Sequence, residues 1–78
     1  MRTVIKHSIV LNDHKTSISL ENEFWQGLRE IAKQEGTSTG ELVAKIDRER
    51  DDRNLSSAIR VFVYSHFRAK HPKEYFKR

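Results

Sequence analysis

Two patterns in the first 20 positions predict two strands, namely a run rich in β-branched residues and, over residues 16–20, an alternation of side chains. Residues 4–11 are rich in β-branched side chains, which favour strands. Residues 12–14, Asn-Asp-His, supply turn chemistry, and a second strand runs from about Lys15 to Leu20. Because side chains alternate along a strand, one face carries the partly apolar set Thr16, Ile18 and Leu20, and the other carries the polar, basic set Lys15, Ser17 and Ser19.

Helical spacing of apolar residues begins directly after the second strand. The first helix is predicted to start near Glu21 or Asn22, where acidic residues favour the positive end of a helix. Gly36 is predicted to end it, because glycine adopts the left-handed conformation that follows many helices. Gly27 lies inside the helix and predicts a close approach to its backbone. The apolar stripe consists of Phe24, Trp25, Leu28, Ile31 and Ala32.

Two further helices are predicted. Residues 38–41, Ser-Thr-Gly-Glu, have the spacing of a capping box and open the second helix, whose apolar contacts are Leu42, Val43 and Ile46. Residues 48–53 mix both charges and are interpreted as a solvated segment. Asn54 is predicted to cap a third helix from Leu55 to about Ala69, and residues 71–78 form a basic tail. The third apolar stripe is Leu55, Ala58, Ile59, Phe62, Val63 and Phe67, with Arg60 and Arg68 on the solvent side.

Length and composition narrow the class of protein. Seventy-eight residues predict a single domain, residues 1–70, which buries little surface and has no cysteine for a disulfide. Oligomerisation is therefore the expected source of additional core. No apolar run is long enough for a membrane span, and Lys6 and His7 interrupt any signal-peptide core, so we expect a cytoplasmic protein. The net charge of +4 favours an anionic partner only slightly.

The sequence shows no recognisable pattern of an enzyme. Its three glycines do not form a phosphate-binding loop, and its four histidines are scattered without metal-ligand spacing. No serine, histidine and acid are arranged in a way that indicates a catalytic triad. We therefore expect no catalytic residues, no metal and no other cofactor.

Residues 15–43 combine a short strand, an amphipathic helix, Gly36 and the Ser38 capping box. This joined pattern resembles the ribbon-helix-helix family of bacterial DNA-binding proteins, which includes Arc-like and MetJ-like repressors. The resemblance implies an α+β fold in which short N-terminal strands precede the helices. It also implies an intertwined homodimer, because the two subunits of such a protein pair their strands as an antiparallel β-ribbon.

The resemblance further implies a transcription regulator that places its β-ribbon in the major groove of double-stranded DNA. In this chain, Lys15, Ser17 and Ser19 match the strand face that reads bases. Ser38 and Thr39 match the start of the helix that anchors DNA phosphate through its backbone.

Two features depart from the simple family pattern, namely the strand at residues 4–11 and the third helix. The resemblance is therefore good over about residues 14–47 and poor in the flanks. A competing register also stays open, because residues 54–62 resemble the start of a family second helix. In that register the phosphate anchor moves to Ser56 and Ser57.

A protein-interaction module is the alternative function. Antitoxins of this family bind a second protein through a C-terminal extension as well as binding DNA. Here such an interface would use Tyr64, His66, Phe67, Tyr75 and Phe76. If residues 4–11 form a hairpin with residues 15–20, the first strand either widens the ribbon or covers the edge that the dimer needs. In the second case an adaptor without DNA binding is the expectation.

Overall fold

The computed structural model describes residues 3–52 and 54–70, in which two strands precede three helices. The predicted α+β class and the order of the elements are confirmed, and the predicted tail at 71–78 lies outside the described residues. The elements are β1 (Val4–Leu11), β2 (His14–Glu21), α1 (Asn22–Gln34), α2 (Thr39–Glu49) and α3 (Leu55–Lys70).

A tight hairpin joins the two strands. Asn12 and Asp13 form its turn with φ values of 52° and 67°. Two consecutive positive φ values define a type I′ turn, whose twist matches that of the flanking strands, and Asn and Asp tolerate this conformation. The antiparallel register runs from Leu11 opposite His14 to Val4 opposite Glu21. The strand before α1 therefore pairs with β1 of the same chain.

The inner face of the hairpin packs on the helices. Ile9, Ile18 and Leu20 are buried there. Thr16 shares this inner face by alternation, but it is exposed rather than part of the core. The physical reason is that α2 packs beneath β1 in this half of the hairpin, so that Ile9 is covered while its partner Thr16 is not.

Helix α1 ends as predicted. Gly36 has a φ of 70°, and its N–H donates to the Lys33 carbonyl. The N–H of Thr37 donates to the Ala32 carbonyl at 3.0 Å. These two bonds form a Schellman motif, which satisfies carbonyls that a helix end leaves without partners. The motif turns the chain directly into α2.

One apolar cluster holds the hairpin and the three helices together. The predicted close approach at Gly27 is confirmed, since a Cβ there would lie 2.8 Å from Val63 Cγ1 of α3. Phe24 and Trp25 of the predicted stripe are only partly buried and pack against the edge of the cluster. The buried members are Ile9, Ile18, Leu20, Leu28, Ile31, Ala32, Leu42, Val43, Ile46, Ala58, Ile59 and Val63.

Candidate nucleic-acid interface

The outer face of the hairpin carries the side chains that were predicted to read bases. Lys15, Ser17 and Ser19 all project from the face opposite the buried one, and all three are exposed. On β2 this face carries polar side chains, whereas on β1 it also carries the exposed Val4 and Val10. The buried cluster lies behind it. Ammonium and hydroxyl groups on such a face can bond both the base edges and the phosphates of DNA.

Strand β1 adds further residues to this face that the sequence reasoning missed. Lys6 lies opposite Ser19, and Ser8 lies opposite Ser17, and all four are exposed. Paired residues in an antiparallel sheet share a face, so β1 contributes a second row beside β2. The signal was available in the sequence, because an Asn-Asp turn of two residues fixes this register.

The outer edge of β2 carries backbone groups that β1 does not use. Residues that flank a two-residue turn are joined by hydrogen bonds, and bonded and non-bonded pairs then alternate along the hairpin. The N–H and C=O groups of Lys15, Ser17 and Ser19 therefore point away from β1. The Ser56 hydroxyl accordingly donates to the Ser19 carbonyl from that side, at 2.8 Å. Within the described part of the chain no further strand pairs with this edge.

The start of α2 contains the predicted phosphate anchor, Ser38 and Thr39, and a carboxylate already lies there. Glu41 accepts hydrogen bonds from the Thr37 hydroxyl at 2.7 Å and from the Ser38 N–H at 3.2 Å, and its own N–H donates to Ser38 Oγ at 3.0 Å. This is the predicted capping box. The hydrogen bonds, that from Thr37 above all, hold the pKa of the Glu41 carboxyl below its ordinary value of 4.5.

The start of α2 lies beside β1. Ser38 and Thr39 line one groove together with Val10 and the turn residue Asn12. A Cβ at Gly40 would lie 3.0 Å from the Val10 carbonyl oxygen, so the helix approaches the strand closely there. The structure therefore does not bring Ser38 and Thr39 to the β2 edge.

The start of α3, which belongs to the competing register, lies beside β2. Asn54 caps the helix by accepting from the Ser57 N–H at 2.8 Å. Asn54 and Ser56 line a groove together with Ser17 and Ser19. The first turn of α3 has no acidic residue. The remaining N–H groups of this helix start, which Asn54 does not cap, therefore lie next to the outward strand face. No carboxylate from the first turn of α3 lies there to occupy them.

Arg60 and Glu21 fix the junction of β2, α1 and α3. The sequence assigned Arg60 to the solvent side, but its Nε donates to Glu21 Oε1 at 2.8 Å, and both side chains are partly buried. Glu21 is also the N-cap residue of α1, although its side chain makes no capping hydrogen bond. The carboxylate binds the arginine of α3 instead, which holds the start of α3 near the end of the ribbon strand.

The C-terminal surface that was predicted as an alternative interface is only partly available. Tyr64 and the neighbouring Val61 of α3 are exposed, with 43% and 46% of their surface accessible. His66 and Phe67 are half-buried, and their rings pack edge to face at 5.2 Å. Tyr75 and Phe76 lie outside the described residues. Among the described residues, no three side chains of His, Asp or Glu converge in a way that would hold a metal ion.

Comparison with protein families identifies the fold. A family model described as a ribbon-helix-helix domain matches residues 4–67, so this chain belongs to that family. The match includes β1 and all but the last three residues of α3. Both flanks are therefore part of the family domain, whereas the resemblance seen in the sequence alone treated them as departures. Proteins of this family generally bind DNA, as transcription regulators or as antitoxins, and are not enzymes.

Neither the curated proteins nor the solved structures that were compared with this chain gave a match. In the part of the chain that the structure describes, no helix has the length and apolar character needed to cross a membrane.

Proposed function

We propose that this protein is a sequence-specific regulator of transcription that binds double-stranded DNA as a homodimer, in the bacterial cytoplasm. The observation that carries the proposal is the exposed row of Lys15, Ser17 and Ser19 on a strand whose other face packs Ile18 and Leu20 into the core, in a chain of the ribbon-helix-helix family. A two-stranded ribbon fits the major groove of B-DNA, where each base pair presents a distinct pattern of donors and acceptors. Lysine can bond guanine, and serine can bond several bases.

The proposed dimer joins the β2 strands of two copies. Pairing would satisfy the edge N–H and C=O groups of Lys15 and Ser17, which an isolated chain leaves to water. In an antiparallel pair, two residues that exchange backbone hydrogen bonds lie directly opposite each other and on the same face of the sheet. If the backbone groups of Lys15, Ser17 and Ser19 bond the same set in the second copy, the side chains of both copies lie on one face. The dimer would therefore present two equal rows of base-reading side chains to an inverted-repeat site.

Exposed apolar side chains do not choose between the two edges of the hairpin. Val61 and Tyr64 of α3 are exposed, and so are Val4, Ile5 and Val10 of β1. The choice of β2 therefore rests on its outward row of Lys15, Ser17 and Ser19 and on the edge backbone groups beside that row.

Phosphate anchoring is proposed at a helix start that flanks the ribbon. Of the two candidate starts, the Ser38 and Thr39 start of α2 already contains the Glu41 carboxylate, which repels an incoming phosphate. The Ser56 and Ser57 start of α3 lies beside the ribbon strand and has no acidic residue in its first turn. These two observations favour α3 as the anchor, through its free N–H groups and the helix dipole.

Selection of bound duplexes from a random DNA library tests the proposed function. The purified chain at near-physiological salt is expected to enrich a short inverted repeat, and light scattering is expected to give the mass of a dimer. The triple variant K15A/S17A/S19A should lose the sequence preference and stay dimeric. A matched control, K33A/S65A, removes exposed side chains of the same types from α1 and α3 and should select the same site as the wild type.

Three results would count against the proposal. An unchanged site in the triple variant would exclude the strand face as the base reader. A monomer in solution and on DNA would exclude the ribbon dimer. Absence of DNA binding by the wild type, at low as well as physiological salt, would favour the protein-interaction module, because phosphate-driven binding strengthens steeply as salt is lowered.

A further inference from the structure

Lys6 lies on the same exposed face as the proposed base readers, but on the other strand. Its Cα partner is Ser19, and its neighbour on this face of β1, Ser8, pairs with Ser17. The face thus has two rows of side chains. The β2 row contains Lys15, Ser17 and Ser19, and in the β1 row the exposed Val4 and Val10 flank Lys6 and Ser8. The two lysines are chemically equal, so their positions in an assembled sheet decide what each one contacts.

The width of the dimeric sheet separates the two rows. Joining two hairpins at β2 gives the strand order β1, β2, β2 of the partner, β1 of the partner. Neighbouring strands are about 4.8 Å apart, so each β2 axis lies about 2.4 Å from the two-fold axis and each β1 axis about 7 Å from it. The major groove is about 12 Å wide, so its walls lie about 6 Å from its centre. The β2 strands fit inside the groove, whereas the β1 strands lie at its walls.

The walls of the groove are formed by the phosphate backbones. A lysine at a wall meets phosphate oxygens, and its ammonium group binds them as a point charge without regard to base sequence. A lysine in the middle of the groove meets the base edges. Lys6 and Lys15 therefore have different expected partners although they share one face.

We propose that Lys6 is a phosphate contact that positions the ribbon, and that β1 is a positioning strand while β2 reads the sequence. This assignment rests on the proposed function. It explains how the additional strand can widen the ribbon without preventing entry into the groove, since β1 carries a lysine at the point where the sheet meets the backbone. It also predicts that the two lysines differ in a measurable way.

The test compares the variants K6Q and K15Q with the wild type, by binding titrations across salt concentrations and by library selection. The logarithm of the binding constant falls with the logarithm of the salt concentration, and each neutralised phosphate contributes about 0.9 to the steepness of that line. K6Q removes two lysines from the dimer, so it should reduce the steepness by about 1.8. The ratio of the Kd of K6Q to the Kd of the wild type should consequently fall about tenfold between 50 and 200 mM salt. K6Q should weaken binding to all duplexes equally and select the wild-type site, and K6R should bind like the wild type.

K15Q is expected to change the selected site, which distinguishes a base reader from a phosphate contact. Circular dichroism of both variants checks folding, and both lysines are exposed, so neither substitution removes core packing. If K6Q alters the selected site while K15Q weakens all duplexes equally, the dimer joins at β1 and the assignment is reversed. If the wild type binds DNA and K6Q matches it in slope and site, Lys6 does not contact DNA. Failure of the wild type to bind DNA would overturn the proposed function itself.

Discussion

The Ser56 hydroxyl, in the first turn of α3, donates a hydrogen bond of 2.8 Å to the backbone carbonyl of Ser19 near the end of β2. This bond joins two elements that are 37 positions apart in the chain. It holds the start of a helix beside the outward strand face, in the same groove as Ser17. A helix start and a strand face that are to contact one DNA duplex need a fixed separation, and this bond contributes to fixing it.

Replacing Ser56 by alanine is expected to weaken both the fold and DNA binding. A neutral hydrogen bond contributes about 0.5–1.5 kcal/mol, and this one is exposed, so we expect S56A to lower the free energy of unfolding by an amount near the lower end of that range. Urea unfolding measures it. S65A is the matched control, because Ser65 is exposed on the same helix. Equal stability of S56A and S65A would show that the Ser56 bond does not stabilise the fold.

Gly27 permits the close packing of α1 against α3. In an open helix, alanine in place of glycine would stabilise the fold by about 1 kcal/mol. Here the added methyl group would lie 2.8 Å from Val63 Cγ1 and 3.3 Å from Phe67 Cε2. Overpacking costs about 1–3 kcal/mol, so G27A is expected to destabilise the fold in thermal or urea unfolding.

A double-mutant cycle separates crowding from other effects of G27A. V63A removes the closer of the two contacts and leaves only the 3.3 Å approach to Phe67, so G27A should cost less in that background than in the wild type. A gain of stability in G27A alone would show that the two helices can separate without loss, and that the glycine is not required for their packing.

Local chemistry is what the sequence predicted best. The Asn-Asp turn, the Gly36 helix end and the Ser38 capping box each depend on neighbouring residues, and each is present in the structure. The ion pair of Arg60 with Glu21 was not predictable, because its partners are 39 positions apart and only the packing of α3 brings them together. Amphipathic patterns show which side of an element faces the core, but not which neighbouring element covers each residue.

The same limit applies to the candidate site. Strand alternation alone predicted the face that carries Lys15 and Ser17, and both are exposed as expected. The row on β1, including Lys6, required the register of the hairpin. Which helix start lies beside the ribbon depends on tertiary packing, and the sequence left this choice open between α2 and α3.

The hydrogen bonds of the α2 capping box contribute to stability, and their contribution depends on pH. Hydrogen bonds from Thr37 and Ser38 favour the ionised form of Glu41 and lower its pKa below the ordinary 4.5. A carboxyl whose pKa is lower in the folded state contributes stability that is present above its unfolded-state pKa and is lost as the pH falls through the folded-state pKa. We therefore expect this contribution at neutral pH and its loss in acid.

The variant E41Q isolates that contribution. Glutamine can still accept the hydrogen bond of a capping box, but it does not titrate. Melting temperatures of wild type and E41Q, measured from neutral pH to well below 4.5, should show the wild type losing stability relative to E41Q on the acid side. Parallel curves for the two proteins would mean that the Glu41 hydrogen bonds do not favour the ionised carboxyl in the folded state.

Proline substitutions at the first helical positions distinguish the two candidate phosphate anchors. Proline is tolerated there and removes one free N–H without breaking the helix. Those positions are Thr39 in α2 and Leu55 in α3. Ser38 already has the extended conformation, with ψ of 158°, that a following proline requires. Because α3 lies beside the ribbon and lacks an acidic residue in its first turn, we expect L55P to bind DNA more weakly than L55A.

The expected loss in L55P is about tenfold or more in Kd, since a hydrogen bond to a charged group contributes about 1.5–3 kcal/mol. T39P should bind like T39A, because the Glu41 carboxylate disfavours phosphate at that helix start. The comparison with each alanine variant removes the effect of the lost side chain, and circular dichroism confirms that both helices persist. The reverse result, a loss in T39P alone, would place the anchor at Ser38 and Thr39, and the ribbon would then be flanked by α2 in the complex with DNA.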